Sequence, residues 1–280
     1  MRCDSHVHFV GPADRHPQAG DRTYQADVAT LKQLEIVSAP RAIRRFVIVQ
    51  PSFYGTDNSV LLEGLAALAG RGRGVAVVNA DATSARVLSG YAGQGVRGLR
   101  INLYSPIGDR SPLALRFEAI AGLARELGWH IEVIAPIRML ADNFALLATS
   151  RVPVVIDHYG LHAGFQPDHP EGHALLSLLA MPHVWIKLSA PYRVSADPLA
   201  TKPDPIWLAA ILEAASERCV WGSDWPHTPP HDQHVGGAVV SPYRNLRYEI
   251  LVDDFIAATG SAELAERILS DNPARLYGFE

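Results

Sequence analysis

The stretch Asp4-Ser5-His6-Val7-His8 decides the fold of this chain when it is read with Val154-Val155-Ile156-Asp157-His158 and Trp221-Gly222-Ser223-Asp224. Residues two apart in a strand share a face, so His6 and His8 project together. Each of the three stretches closes a short apolar run just before turn residues. If those runs are parallel strands of one barrel, three imidazoles and a carboxylate meet at a single mouth.

Working outward, strand-like runs recur at 2–8, 46–50, 75–79, 96–103, 130–135, 152–158, 184–188 and 220–224. Several are apolar nearly throughout, as a strand covered on both faces should be. Helical spacing fills the gaps: Leu61, Leu65 and Leu68 form one stripe, and Ile120, Leu123 and Leu127 another. The second helix carries its own signals, with Ser111 as cap, Pro112 at the first helical position and Gly128 just past the end. Strand–helix alternation predicts a parallel sheet, and eight repeats predict closure into an α/β barrel of the (β/α)8 TIM type. No composition break divides residues 1–280, so a single domain is expected. The least regular stretches, 11–23, 159–173, 190–205 and 226–242, each follow a strand and would rim the C-terminal face, where such folds carry function.

Composition narrows the partners. The chain has 280 residues, 25 basic and 29 acidic, for a net charge of −4. That balance argues against an electrostatic nucleic-acid or membrane partner. Cys3 and Cys219 fall in or beside strands and read as inert buried thiols. There is no basic-then-apolar leader and no apolar run near the ~18 residues of a membrane span, so a cytoplasmic protein is expected. Barrels of this size commonly dimerise, which is compatible with a homo-oligomer, but no stripe specifies an interface.

The strand ends supply the chemistry. His6, His8, His158 and Asp224 could hold one zinc ion with a position left for water, whose proton Asp224 would accept. The same four residues also work without metal: a carboxylate in a partly dry pocket is a general base, and imidazoles can hydrogen-bond a substrate carbonyl. Both readings stay open at this level. Against them stands the plain alternative, that a His-x-His pair or a strand-end aspartate merely satisfies backbone groups. Three separate strand-end placements make that alternative the weaker one.

The strings DSHVHFVGP (4–12), VIVQPSFYGTDN (47–58), GVRGLRINL (95–103), VVIDHYG (154–160), WIKLSAPYR (185–193), VWGSDWPH (220–227) and DNPARLYG (271–278) together resemble the amidohydrolase-related family (family 2) of the amidohydrolase superfamily. Within it they are most similar to the lactonase branch typified by the pyrone-dicarboxylate lactonases, and the match runs through nearly the whole chain in order. The resemblance implies a distorted (β/α)8 barrel and a carboxylic-ester hydrolase that opens a lactone ring. By position it implies Asp224 as the residue that activates water, with His6, His8 and His158 around the scissile carbonyl. It also implies Tyr24, Ser52, Arg100 and Arg193 as substrate contacts. Members of the branch differ over metal, so the cofactor is either none or one divalent ion, zinc or manganese, on His6, His8, His158 and Asp224. Family members that decarboxylate aromatic or muconate-type acids supply a second reading. A non-catalytic barrel scaffold is a third, and the retained Asp224 counts against it.

The chain departs from the pyrone lactonases at Ser105-Pro106 and Leu161, where they have further basic residues, and at Ile134, where they have tyrosine. Arginine forks grip carboxylates in fixed geometry. A small-molecule lactone with one acidic group, or a neutral sugar-derived lactone, therefore suits Arg100 and Arg193 better than a planar dicarboxylate. Arg100 sits in an otherwise apolar strand, where an unpaired charge is costly. Lys187 reads as a salt-bridged lysine rather than a metal bridge. Among the loop histidines His162, His169, His173, His227, His231 and His234, solvation is expected, with His227 nearest the pocket. Arg44 and Arg45 read as surface charges, Arg71 and Arg73 in Gly-Arg-Gly-Arg-Gly as a flexible turn, and Trp129, Trp185 and Trp221 as packing.

Overall fold

The computed structural model describes residues 1–105, 111–229 and 239–280. Pro106, His231 and His234 lie outside them. Eight parallel strands, β1 (Arg2–Val7), β2 (Ile43–Val49), β3 (Gly72–Ala76), β4 (Val96–Asn102), β5 (His130–Ile134), β6 (Val154–Ile156), β7 (Val184–Ser189) and β8 (Cys219–Gly222), pair in chain order. The ring closes where Asp224 N–H donates to His6 O at 2.9 Å and His8 N–H donates to Trp225 O at 2.8 Å. Val7 and Trp225 form a parallel bridge at that seam. The (β/α)8 TIM-type barrel expected from the alternation is what forms.

The sheet is covered outside by helices whose apolar stripes face it. In helix Leu113–Leu127, Phe117, Ile120 and Ala124 are buried, spaced three and four apart, and Gly128 ends the helix at φ 66°. Such left-handed backbone costs glycine little. Ser111 is not the cap: Pro112, with ψ 133°, holds the N-cap position. The extended ψ keeps the proline out of the first turn and moves the start by one residue.

Only the start of the Gly-Arg-Gly-Arg-Gly segment is the expected turn: Gly70 sits at φ 89° and Arg71 in a bend, and the strand begins at Gly72. Gly72 and Gly74 lie in β3, where a Cβ would come within 2.7 Å of Leu68 Cδ1 and 2.9 Å of Leu65 Cδ1 respectively. These two glycines let helix Ser59–Leu68 settle onto the strand, so past Arg71 the segment uses their missing Cβ and not backbone freedom. Arg73 and Arg45 both stack on Phe279, so the C-terminus is clamped to the barrel floor by side chains read as turn and surface charges. A two-residue parallel ribbon, Gln25–Ala26 with Val240–Ser241, lies inside stretches that show no strand periodicity because it is too short to have any. No helix among the described residues is long and apolar enough to cross a membrane.

Candidate active site

The pairing of β1 with β2 slips between Asp4 and Val7: three steps on β1 match two on β2, since Asp4 pairs with Phe46 and Val7 with Ile48. The extra residue is a bulge, a common way to re-aim side chains. Cys3 packs inside the barrel with Val47, Val49 and Val75, while Asp4 accepts from Tyr248 Oη at 2.9 Å on the helix layer. Past the bulge, His6 and His8 both point into the mouth. Asp4 also accepts from Ser223 N at 2.9 Å and His6 N at 3.1 Å, tying β1 to the turn that carries Asp224.

The three imidazoles and Asp224 converge as expected. Asp224 Oδ1 stands 3.3 Å from His8 Nε2, 3.7 Å from His6 Nε2 and 4.0 Å from His158 Nε2. The far nitrogens are anchored: His8 Nδ1 lies 2.8 Å from Val49 O, and His158 Nδ1 lies 2.8 Å from Ser189 Oγ. Asp224 Oδ2 accepts from Tyr192 Oη at 2.7 Å and Arg193 Nε at 2.8 Å. Burial would raise the Asp224 pKa, but the Arg193 guanidinium and neighbouring imidazoles hold it well below the usual carboxylate range. Burial drives His158 down to about 3 and His6 well below the ordinary histidine value, so both rings are neutral at pH 7. Asp224 and His158 sit at φ 59° and 50°, left-handed backbone that non-glycine residues pay strain to adopt.

Beneath the mouth lies a buried ionic cluster that sequence reading only half found. Lys187 pairs with Glu132, lies 3.6 Å from Asp157 Oδ1 and 3.2 Å from His6 Nδ1. Arg100 donates to Asp157 Oδ2 at 3.1 Å and Gln50 O at 3.0 Å. Two cations thus face two carboxylates away from solvent. Burial, then the Asp157 charge, raises the Glu132 pKa; burial alone would raise Asp157 too, but Lys187 and His6 keep it well below the usual range. Glu132 was findable: it interrupts an apolar strand as Arg100 does. Tyr192 and Thr228, which accepts from Arg193 at 2.8 Å, had no signal, because an aspartate's partners lie on loops far away in sequence.

His8, Tyr24, Ser52, Arg100, His158, Arg193 and Asp224 all line one recess, with Ile134 and Thr228. His6 stands behind them, wholly buried. The arginines expected to face substrate have protein acceptors: Arg100 reaches Asp157 and Gln50, and Arg193 reaches Asp224 and Thr228. Lys187 is the ion-paired lysine expected. His227 touches Tyr192 at 3.4 Å rather than lining the recess. His162 is not solvated: its ring stacks on Trp207 at 4.4 Å.

Three imidazoles and one ionised carboxylate gathered at the C-terminal mouth of a (β/α)8 barrel define a hydrolase-type barrel site. The chain belongs to the amidohydrolase family, whose sequence profile matches residues 3–279. It is 31% identical to a 2-pyrone-4,6-dicarboxylate hydrolase of Comamonas testosteroni, over 98% of this chain and 89% of that one. It is 27% identical to a 4-sulfomuconolactone hydrolase of Hydrogenophaga intermedia, over 98% of this chain and 88% of that one. Among solved structures, a probable 2-pyrone-4,6-dicarboxylic acid hydrolase of Acinetobacter baumannii with citric acid bound superposes with a TM-score of 0.79 at 26% identity, covering 99% of each chain.

Proposed function

We propose that this protein hydrolyses a lactone bearing an acidic group. The observation that carries the reading is the aim of Asp224: one carboxylate oxygen is held by Tyr192 and Arg193, and the other faces three imidazoles in the recess. Water placed between Oδ1 and the ring carbonyl attacks the carbonyl carbon as Asp224 takes its proton. The tetrahedral adduct then collapses, the ring C–O bond breaks, and the proton passes from Asp224 to the leaving alkoxide. The product is an open-chain hydroxy acid. The two lactone-hydrolysing relatives support this chemistry over decarboxylation, and the citric acid bound in the Acinetobacter structure supports an acidic ligand.

The donors also fit a divalent cation, zinc or manganese. Asp224 Oδ1 and His6 Nε2 are buried without a hydrogen-bond partner among the described residues, and they group with His8 at metal-ligand spacing. His6, His8, His158 and Asp224 would hold the ion, which would supply Lewis acidity to the reacting oxygens. The low Asp224 pKa makes it a weak base, so a cationic aid beside it suits the site. The recess residues do the rest: Tyr24 contacts the lactone carbonyl, Ser52 contacts the ring, and Arg193 keeps Asp224 ionised and oriented.

The test is a panel of muconolactones, sugar lactones and pyrone carboxylates, followed by acid release at constant pH with and without added zinc or manganese. Turnover of at least one acidic lactone is expected. Failure on every lactone, with and without metal, would discard the reading.

A further inference from the structure

The recess around Asp224 encloses only about 20 Å³ of free space, room for about one water. Beside it lies a chamber of about 680 Å³, and the two share Ser52, Arg100 and Asn102 as walls. A lactone ring presented to Asp224 can therefore place little more than its carbonyl in the recess, and the rest of the molecule lies toward the chamber. Its volume is within the range that holds a drug-sized ligand. Its lining is more apolar than polar: Ile101 and Ile120 are buried, Ala80, Leu115 and Ala119 are more exposed, and Asp81 and Arg116 are the charged residues among them besides Arg100.

One buried polar atom of a lining residue lacks a partner among the described residues. Gln50 is wholly buried and its Nε2 donates to Gly55 O at 3.2 Å and Asp57 O at 2.7 Å. Those two carbonyls settle the amide orientation, which leaves Oε1 as a buried acceptor with no partner among the described residues. Leaving a buried acceptor unmade costs free energy.

We propose that this chamber receives the ring substituent of the substrate, so that the preferred lactone carries an extended, mainly apolar arm. The inference rests on the lactonase reading and narrows it. The arm leaves the ring past Ser52 and Asn102, runs beside Gln50, and lies against Ile101 and Ile120. Burying it there gains apolar area that a compact ring acid does not have.

The test separates the arm from the chemistry. Two non-hydrolysable γ-lactam carboxylates, one bare and one with a hexyl substituent, are titrated calorimetrically into the wild-type protein and into Ala119→Trp and Ala80→Trp. These variants fill the chamber from different elements. The hexyl arm should tighten wild-type binding by about tenfold or more, and each tryptophan should remove most of that gain. Equal or weaker binding of the hexyl compound, no binding of either lactam, or a gain untouched in both variants would overturn the proposal. Turnover of the matching lactones is scored separately. If the hexyl lactam binds better but neither lactone opens, the lactonase reading falls and the chamber stands. If the bare lactone opens and the arm brings no gain, the chamber falls alone.

Discussion

His8 Nε2 stands 3.3 Å from Asp224 Oδ1 across the seam where the last barrel strand meets the first. Val49 O accepts from His8 Nδ1, which leaves Nε2 as the ring atom that faces the carboxylate. A bare ring nitrogen and a carboxylate oxygen at that distance would repel, and a proton or a cation between them makes the approach favourable. The backbone bonds that close the barrel, Asp224 N to His6 O and His8 N to Trp225 O, set this spacing. Closure of the fold and assembly of the site are one event.

Replacing Asp224 with asparagine keeps the shape and removes the base. Turnover should fall by about 10²- to 10⁴-fold, the usual share of a positioned proton acceptor. Binding of the bare lactam acid should change far less. An Asp224→Asn protein with wild-type kcat would end the assignment.

Metal removal tests the repulsion argument. Dialysis against a chelator should lower turnover, and zinc or manganese should restore it. His8→Ala should hold less metal than wild type by elemental analysis, since it loses one of four donors. Full activity in metal-free protein would show that a proton, not a cation, bridges His8 and Asp224.

The two arginines should part company. Arg193 holds Asp224 Oδ2, so Arg193→Met should lower kcat more than it raises KM. Without that cation the buried carboxylate titrates at higher pH, and the acid limb of the pH–rate profile should move upward. Arg100 instead pairs with Asp157 in the buried cluster. Arg100→Met leaves Lys187 as the one cation for both Asp157 and Glu132 and should cost about 3 kcal/mol of stability in denaturant unfolding. Equal kinetic effects with no stability loss would contradict this division.

Acid stability has an identifiable contributor outside the site. Burial against Trp207 lowers the His162 pKa to about 4. An unfolded histidine titrates near 6.5 and binds protons that the folded one refuses. The stability is therefore present above about pH 6.5 and is lost as pH falls toward 4, at up to about 1.4 kcal/mol per pH unit. His162→Phe keeps the stacked ring and should flatten that slope. Parallel stability–pH curves for the two proteins would rule it out.

Much of the fold was legible because burial on both faces leaves a continuous apolar trace, as in Val154–Ile156 and Val184–Ser189. Gly72 and Gly74 misled because the reason for a glycine is the neighbour that needs its space, here Leu65 and Leu68. His162 misled because a loop position says nothing of what folds over it. The mouth residues His6, His8, His158 and Asp224 were legible from strand-end placement and family resemblance. The expected substrate arginines were found as residues lining the recess, but their acceptors were not.

The order of eight strands, the helices between them and the identity of the mouth residues were set by local pattern, since periodicity and turn chemistry act over a few neighbouring residues. Which oxygen of Asp224 is held and which is aimed, which carboxylate each arginine meets, and the chamber beside the recess were decided only in three dimensions. Those features depend on contacts between residues such as Tyr192 and Asp224, or Arg100 and Asp157, that chain order separates and only barrel closure brings within hydrogen-bonding distance.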